Sequence, residues 1–137
     1  MNILFKKTNL LLLVFFFSIG IMGQNKNQIV RIAEIEVFPE YLDQYKAILK
    51  EEAQLAVQVE SGVIAILPMF RKENSPQIRI LEIYADNESY EAHLKTPHFL
   101  LYKNSTLKMV KSLQLMDMDV LDLKTMRLMF AKYSEKK

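Results

Sequence analysis

The 137-residue chain contains no cysteine. That absence removes disulfides, thiol nucleophiles and thiolate metal sites together, so stability in an oxidising compartment has to come from packing or assembly. Also missing are a dense stripe of lysine and arginine, an internal repeat and a low-complexity segment. Net charge is slight, with 18 basic against 16 acidic side chains, and Lys6 and Lys7 at the extreme N-terminus carry the whole excess. Electrostatics therefore gives no support to a nucleic-acid partner. Histidine is scarce as well: the chain has 2, His93 and His98, in the stretch YEAHLKTPHF that spans residues 90–99.

What the sequence does contain begins with a targeting pattern. Residues 1–9 hold Lys6 and Lys7 and no acid, and residues 10–22 are apolar. A bilayer span needs about 20 apolar residues, so a basic start with a shorter apolar run reads as a secretory signal. We expect residues 1–23 to be a signal peptide, with cleavage after Gly23 favoured over cleavage after Gly20. Residues 24–137 then form a single domain, large enough to bury a core. Localisation is expected to be secreted or periplasmic, with no membrane association once the signal is removed. The alternative is an uncleaved N-terminal anchor.

Beyond the signal, the period of the apolar residues alternates between two and about 3.6. Residues 28–38 are β-branched and alternate, placing Ile29, Arg31, Ala33, Ile35 and Val37 on one face of a strand. Pro39 suits a first helical position, and Tyr41, Tyr45, Ile48, Leu49, Leu55, Ala56 and Val59 recur at helical steps up to Ser61 and Gly62. Residues 63–71 and 77–84 read as a hairpin about the polar turn 72–76, with Pro68 marking an edge or a bulge. Asp86 can cap a short helix through Leu94, and Thr96-Pro97 reads as cap and first residue of another. That second helix is predicted to show Phe99, Tyr102, Thr106, Met109, Val110 and Leu113 on one side. Alternation returns over residues 113–123. The order strand, helix, strand, strand, helix, strand predicts a ferredoxin-like α+β domain, a split βαβ arrangement with helices over one face of an antiparallel sheet. Apolar residues on the other face predict a homodimer.

Candidate chemistry is sparse. Five positions apart across a Thr-Pro break, His93 and His98 lack the i, i+4 spacing of a helical metal pair, and no third ligand is evident in the sequence, so no metal site is predicted. Both rings could equally be helix caps or pocket lining. Glu82 shares a strand face with Ile78, Ile80 and Tyr84, which makes it either a pocket carboxylate or half of an ion pair with Arg31 or Arg79. Methionine and aromatic stripes are core by the same logic that makes any surface helix one-sided.

Several segments together resemble a known family. Ala33 to Ile35, the Pro39 helix start, Glu60 to Val63, Glu82 to Asp86 and above all EAHLKTPHF at residues 91–99 are similar to the antibiotic biosynthesis monooxygenase superfamily, and within it to the small quinol monooxygenases. The resemblance covers roughly residues 28–121. It implies a dimeric α/β barrel-type assembly of ferredoxin-like domains, with a pocket between sheet and helices in which an electron-rich aromatic such as a quinol meets O2. It implies no metal, flavin or haem cofactor, because the substrate supplies the electrons once a phenolic proton is removed. On that reading His93 and His98 are the catalytic candidates, imidazole being the side chain whose charge changes nearest neutral pH. Met69, Phe70, Phe99 and Tyr102 would supply an apolar wall, Arg71 would meet an oxyanion, and Glu82 and Tyr84 complete the substrate-binding set. Haem-degrading relatives carry a tryptophan where His93 stands and a haem-ligating histidine about where Lys103 stands, so haem degradation is not implied. Relatives acting on a phosphorylated signalling sugar share the TPH element, but a cytosolic phosphorylated substrate conflicts with export. The competing class is a non-catalytic module that holds a small apolar or aromatic ligand in the same pocket; a purely structural dimeric accessory domain, with no ligand at all, is a third. Residues 124–137 lie outside the resemblance, either as an arm crossing to a partner or as a tail.

Overall fold

The computed structural model of the protein describes residues 27–73 and 75–136. The proposed signal peptide lies outside the described residues. Four strands, β1 (Ile29–Val37), β2 (Val63–Phe70), β3 (Gln77–Tyr84) and β4 (Val110–Asp117), form one antiparallel sheet in the order β2-β3-β1-β4. The long helix α1 (Leu42–Val59) follows a 3₁₀ turn at Pro39–Tyr41, and two short helices, α2 (Asn87–His93) and α3 (Pro97–Thr106), connect β3 to β4. A last helix, α4 (Leu123–Ser134), follows β4. This is the ferredoxin-like α+β fold.

The core forms where the inward faces of β1 and β3 meet α1. Ala33, Ile35 and Val37 alternate inward along β1, and Ile78 and Ile80 do so opposite them on β3. Above them lie Leu42, Tyr45, Leu49, Ala53 and Ala56 of α1, spaced three, four and seven residues apart so that they share one side of the helix. Burying a Leu, Ile or Val side chain in this way is worth roughly 1.5–3 kcal/mol. The stripe differs at its C-terminal end from the one expected: Leu55 and Val59 are exposed, and Glu52 takes the inward position between Leu49 and Ala56.

Pro68 lies on β2, which is an edge strand, so its missing N–H leaves no ladder bond unmade on the solvent side. Helix α3 ends at Thr106, earlier than the apolar periodicity suggests, and β4 starts at Val110 and stops at Asp117. The chain turns there because the Met109 N–H donates to the Thr106 carbonyl and the Met109 carbonyl accepts from Phe38 N–H, tying the end of α3 to the end of β1. Met109 is consequently core, but as a connector between helix and strand.

On the opposite face of the sheet, the register aligns Ile32 with Leu81 and Met116, and Leu67 with Leu81. Helices α1 and α3 pack on the other side, so this second face presents a central apolar row. None of the helices in the described residues is long and apolar enough to cross a membrane.

Candidate active site

The site is built from a break between two helices. At the start of α2, Asp86 Oδ1 accepts from Ser89 N–H at 2.7 Å, and hydrogen bonding from the Ser89 side chain, then from this N–H, holds the Asp86 carboxyl below the usual carboxylate range. At the other end of α2, Thr96 Oγ1 donates to the His93 carbonyl at 2.8 Å while accepting from Phe99 N–H at 3.3 Å. One hydroxyl thus closes α2 and opens α3, and Pro97 occupies the first position of α3, where no N–H is required. This junction, rather than a continuous helix, brings the two imidazole centroids to 6.4 Å from each other.

Glu60, at the C-terminal cap of α1, lies between them. Its Oε1 is 2.9 Å from His93 Nδ1 and 2.5 Å from His98 Nε2. A carboxylate can only accept, so both of those ring nitrogens donate to it. His93 Nδ1 therefore carries its proton, and in the neutral ring Nε2 keeps a lone pair. Tyr84 and Phe99 flank the ring, with centroids 5.5 and 4.8 Å away, and fix its plane.

His93 forms part of the wall of a cavity of about 410 Å³ between the sheet and α1 to α3. Apolar walls come from Ala33, Ile66, Ile80 and Phe99; Glu52, Glu82, Tyr84 and Tyr102 supply the polar groups. The volume suits a one- or two-ring small molecule. Glu52 is almost wholly buried, its Oε1 finds no hydrogen-bond partner among the described residues, and it lies 3.9 Å from His93 Nε2. Burial raises the Glu52 carboxyl, against the opposing pull of His93 and His98. Glu82 is also raised by burial, although the Tyr84 hydroxyl donates to its Oε2 at 3.0 Å and Arg31 acts in the opposite direction.

The tyrosines are donors here, not bases. Tyr45 and Tyr102 share a hydroxyl contact of 2.6 Å. Burial pushes the Tyr102 phenol up to about 12 and the Tyr45 and Tyr84 phenols higher still. Among the groups facing the cavity, His93 Nε2 combines a free lone pair with a partner that fixes its tautomer.

The predicted residues separate into three sets. His93, Glu82, Tyr84, Phe99 and Tyr102 line the one cavity. His98 is behind it, joined through Glu60. Met69, Phe70 and Arg71 are not there: they occupy the far end of the edge strand β2 and the residue after it, exposed, with Arg71 paired to Glu73 at 3.5 Å. The period-two alternation that located β2 says nothing about which end of the strand meets the helices. Nor does Glu82 form the expected ion pair, since Arg31 binds Asp117 at 2.7 Å and Arg79 binds Glu34 at 2.8 Å. Two functional candidates escaped the sequence reading. Glu52 could have been found as the one charged residue on the buried stripe of α1, whereas Glu60, at a helix end 33 residues from His93, gave no local signal. Ligand-capable atoms of Glu52, Glu60, His93 and His98 all lie within 4.8 Å of one another, so the third and fourth metal-ligand candidates missing from the sequence are present in space.

A larger and more open groove, of about 940 Å³, runs between α1 and β2. Its only charged lining is Lys46 and Lys50, and no acid-base pair faces it.

Comparison with known proteins agrees with this architecture. The family model described as antibiotic biosynthesis monooxygenase matches residues 28–104. A crystal structure of a candidate antibiotic biosynthesis monooxygenase from Bacteroides thetaiotaomicron is 41% identical, with a TM-score of 0.70, over 72% of this chain and 94% of that one. A candidate monooxygenase from Lactobacillus acidophilus is 28% identical with a TM-score of 0.65, over 69% of this chain and 44% of that one. A Caulobacter crescentus structure at 18% identity and a TM-score of 0.64, covering 70% of this chain and 92% of that one, shares the fold. No curated protein matches the chain.

Proposed function

The chain belongs to the antibiotic biosynthesis monooxygenase family, and from that premise we propose that it is an exported, cofactor-independent monooxygenase acting on quinol-like aromatics with O2. The observation that carries the reading is His93 in the cavity wall with Glu60 bonded to it from behind. Glu60 accepts from Nδ1–H, which leaves Nε2 free to take a phenolic proton from a ring lodged against Phe99 and Ile80. General-base assistance of this kind is worth about 10²–10⁴-fold. The resulting phenolate is electron-rich enough to reduce O2: one oxygen atom enters the ring, the other leaves as water, and the four electrons come from the quinol as it becomes a hydroxyquinone. Tyr102 remains protonated and, with Tyr45 donating to its oxygen, can donate to the developing oxyanion, while the Tyr84 proton is held by Glu82. Export rests on the basic and apolar pattern of residues 1–22.

Oxygen uptake by the purified protein with a panel of benzoquinols and naphthoquinols, in the presence of chelator, tests the proposal. Uptake above autoxidation is expected, falling at least about 100-fold in His93→Ala. If no quinol is turned over while ligands still bind, the pocket belongs to a binding module instead.

A further inference from the structure

The His93–Glu60–His98 arrangement has a chemistry beyond proton abstraction. Two imidazole nitrogens, from α2 and α3, converge on one carboxylate oxygen at 2.9 and 2.5 Å. Two histidines and one carboxylate, with further positions left for water, are a donor set for divalent first-row metals. Metal bonds of about 2.0–2.2 Å place neighbouring donors roughly 3.0–3.4 Å apart. For an ion to replace the protons it now accepts, Glu60 has to move back by less than about 1 Å, and the two imidazoles, whose ligand atoms lie within 4.8 Å of each other, have to close on the ion with it.

Glu52 provides the second and independent observation. Histidines that ligate a metal usually donate their other ring N–H to a carboxylate, which fixes the ring and raises its basicity. Glu52 Oε1 is buried, has no hydrogen-bond partner among the described residues, and lies 3.9 Å from His93 Nε2, the nitrogen opposite the one facing Glu60. With a cation on Nδ1 the proton moves to Nε2, and the unpartnered oxygen of Glu52 gains a donor once the 3.9 Å gap closes by somewhat less than about 1 Å.

We propose that His93, His98 and Glu60 bind one divalent transition-metal ion of the zinc, iron(II) or manganese class, with Glu52 as the carboxylate that orients His93. On the reading that His93 is the base, which this consequence presupposes, the metal-loaded protein is inactive: Nε2 carries a proton and has no lone pair to offer the substrate. The same cluster would then switch between a proton-accepting state and a metal-holding state.

The chain has 2 histidines in all, so a histidine-dependent metal signal in untagged protein can arise only here. Calorimetric titration of chelator-stripped protein with Zn²⁺ is expected to show one site per chain. Glu60→Gln and His98→Ala should each weaken it at least about 100-fold, and Glu52→Gln about 10–100-fold. Co²⁺ should give visible d–d bands that His98→Ala abolishes. Should a variant fail to fold, wild-type protein serves alone: Zn²⁺ should protect both histidines from diethylpyrocarbonate, read as intact mass. Absence of one-to-one binding tighter than about 100 μM, unchanged affinity in the variants, or unprotected histidines would each overturn the site. Turnover in chelator is measured separately, so a protein that binds zinc without oxidising quinols sinks the monooxygenase reading and leaves the metal site standing.

Discussion

At the scale of single residues the site depends on which atoms accept. Glu60 faces two ring donors, and an amide in its place can present N–H to His93 Nδ1 and so favour the other tautomer, with the lone pair on the wrong nitrogen. Glu60→Gln is therefore expected to lower kcat by about 10²–10⁴-fold. KM should change little, since Glu60 is not part of the cavity wall. A KM effect with kcat intact, in steady-state oxygen uptake, would show that Glu60 positions substrate and not the base. Glu82 supports a prediction about stability. Burial raises its folded-state pKa above the ordinary carboxyl value, so the folded protein holds this proton more tightly than the unfolded chain. The stabilising contribution is complete below about pH 4.5 and is lost as pH rises through the raised value. Thermal unfolding followed from pH 4 to 8 should show a loss that Glu82→Gln, which keeps a neutral side chain throughout, reduces, the remainder coming from Glu52, whose carboxyl burial also raises. Parallel pH curves for the two proteins would mean that Tyr84 and Arg31 together cancel the effect of burial.

At the scale of elements, the position of α2 depends on Gly62, in the turn between α1 and β2. A Cβ on Gly62 would sit 2.2 Å from Ser89 Oγ and 2.4 Å from Ser89 Cβ. The Gly62 carbonyl also accepts from Ala85 N–H at 2.9 Å, so the turn cannot withdraw without breaking that bond. Gly62→Ala is expected to destabilise the fold by about 1–3 kcal/mol in denaturant unfolding and to displace α2, with loss of turnover. A variant of unchanged stability would show that Ser89 rotates away freely. The elements themselves were largely legible in the sequence, because period two and period 3.6 are local signals: Thr96-Pro97 marked the helix break to the residue, and Asp86 its preceding cap. Where tertiary bonds decide, legibility ended. Met109 and Val110 continue the helical period of α3, yet the chain leaves the helix at Thr106 to bond with β1. The cavity was half legible for a similar reason: His93, Phe99 and Tyr102 sit close together in the sequence, whereas Glu52 and Glu60 reach the site only through the docking of α1, and Met69 to Arg71 run past it along the edge of the sheet.

At the scale of the whole molecule, the described residues of a single chain leave two apolar surfaces in water. One is the sheet face with Ile32, Leu67, Leu81 and Met116 in register; the other is α4, which exposes Leu128, Met129, Phe130 and Tyr133. Asp122 caps α4 by accepting from the N–H groups of Lys124 and Thr125, but a 12-residue helix is marginal in water without tertiary support. Leu113 and Leu115 line the cavity and are themselves about half exposed, so the β4 side of the cavity is incompletely covered within one chain. A second copy packed on the sheet face would cover the apolar row, and its α4 could reach Leu113 and Leu115, which pair with Ile35 and Ala33 on the helix side of the sheet; patches of this kind beyond a few hundred Å² mark interfaces. Light scattering after gel filtration should give a dimer at micromolar concentration. Ile32 is central to the row and not part of the core cluster beneath α1, so Ile32→Glu should leave the monomer's circular dichroism intact while placing an unpaired charge in the interface. An uncompensated buried charge costs roughly 3–5 kcal/mol, which weakens a dimer by at least about 100-fold and yields monomer at the same concentration. Wild-type protein that runs as a monomer would remove the sheet face from the account of assembly, and the cavity would then have to be closed by the chain's own residues.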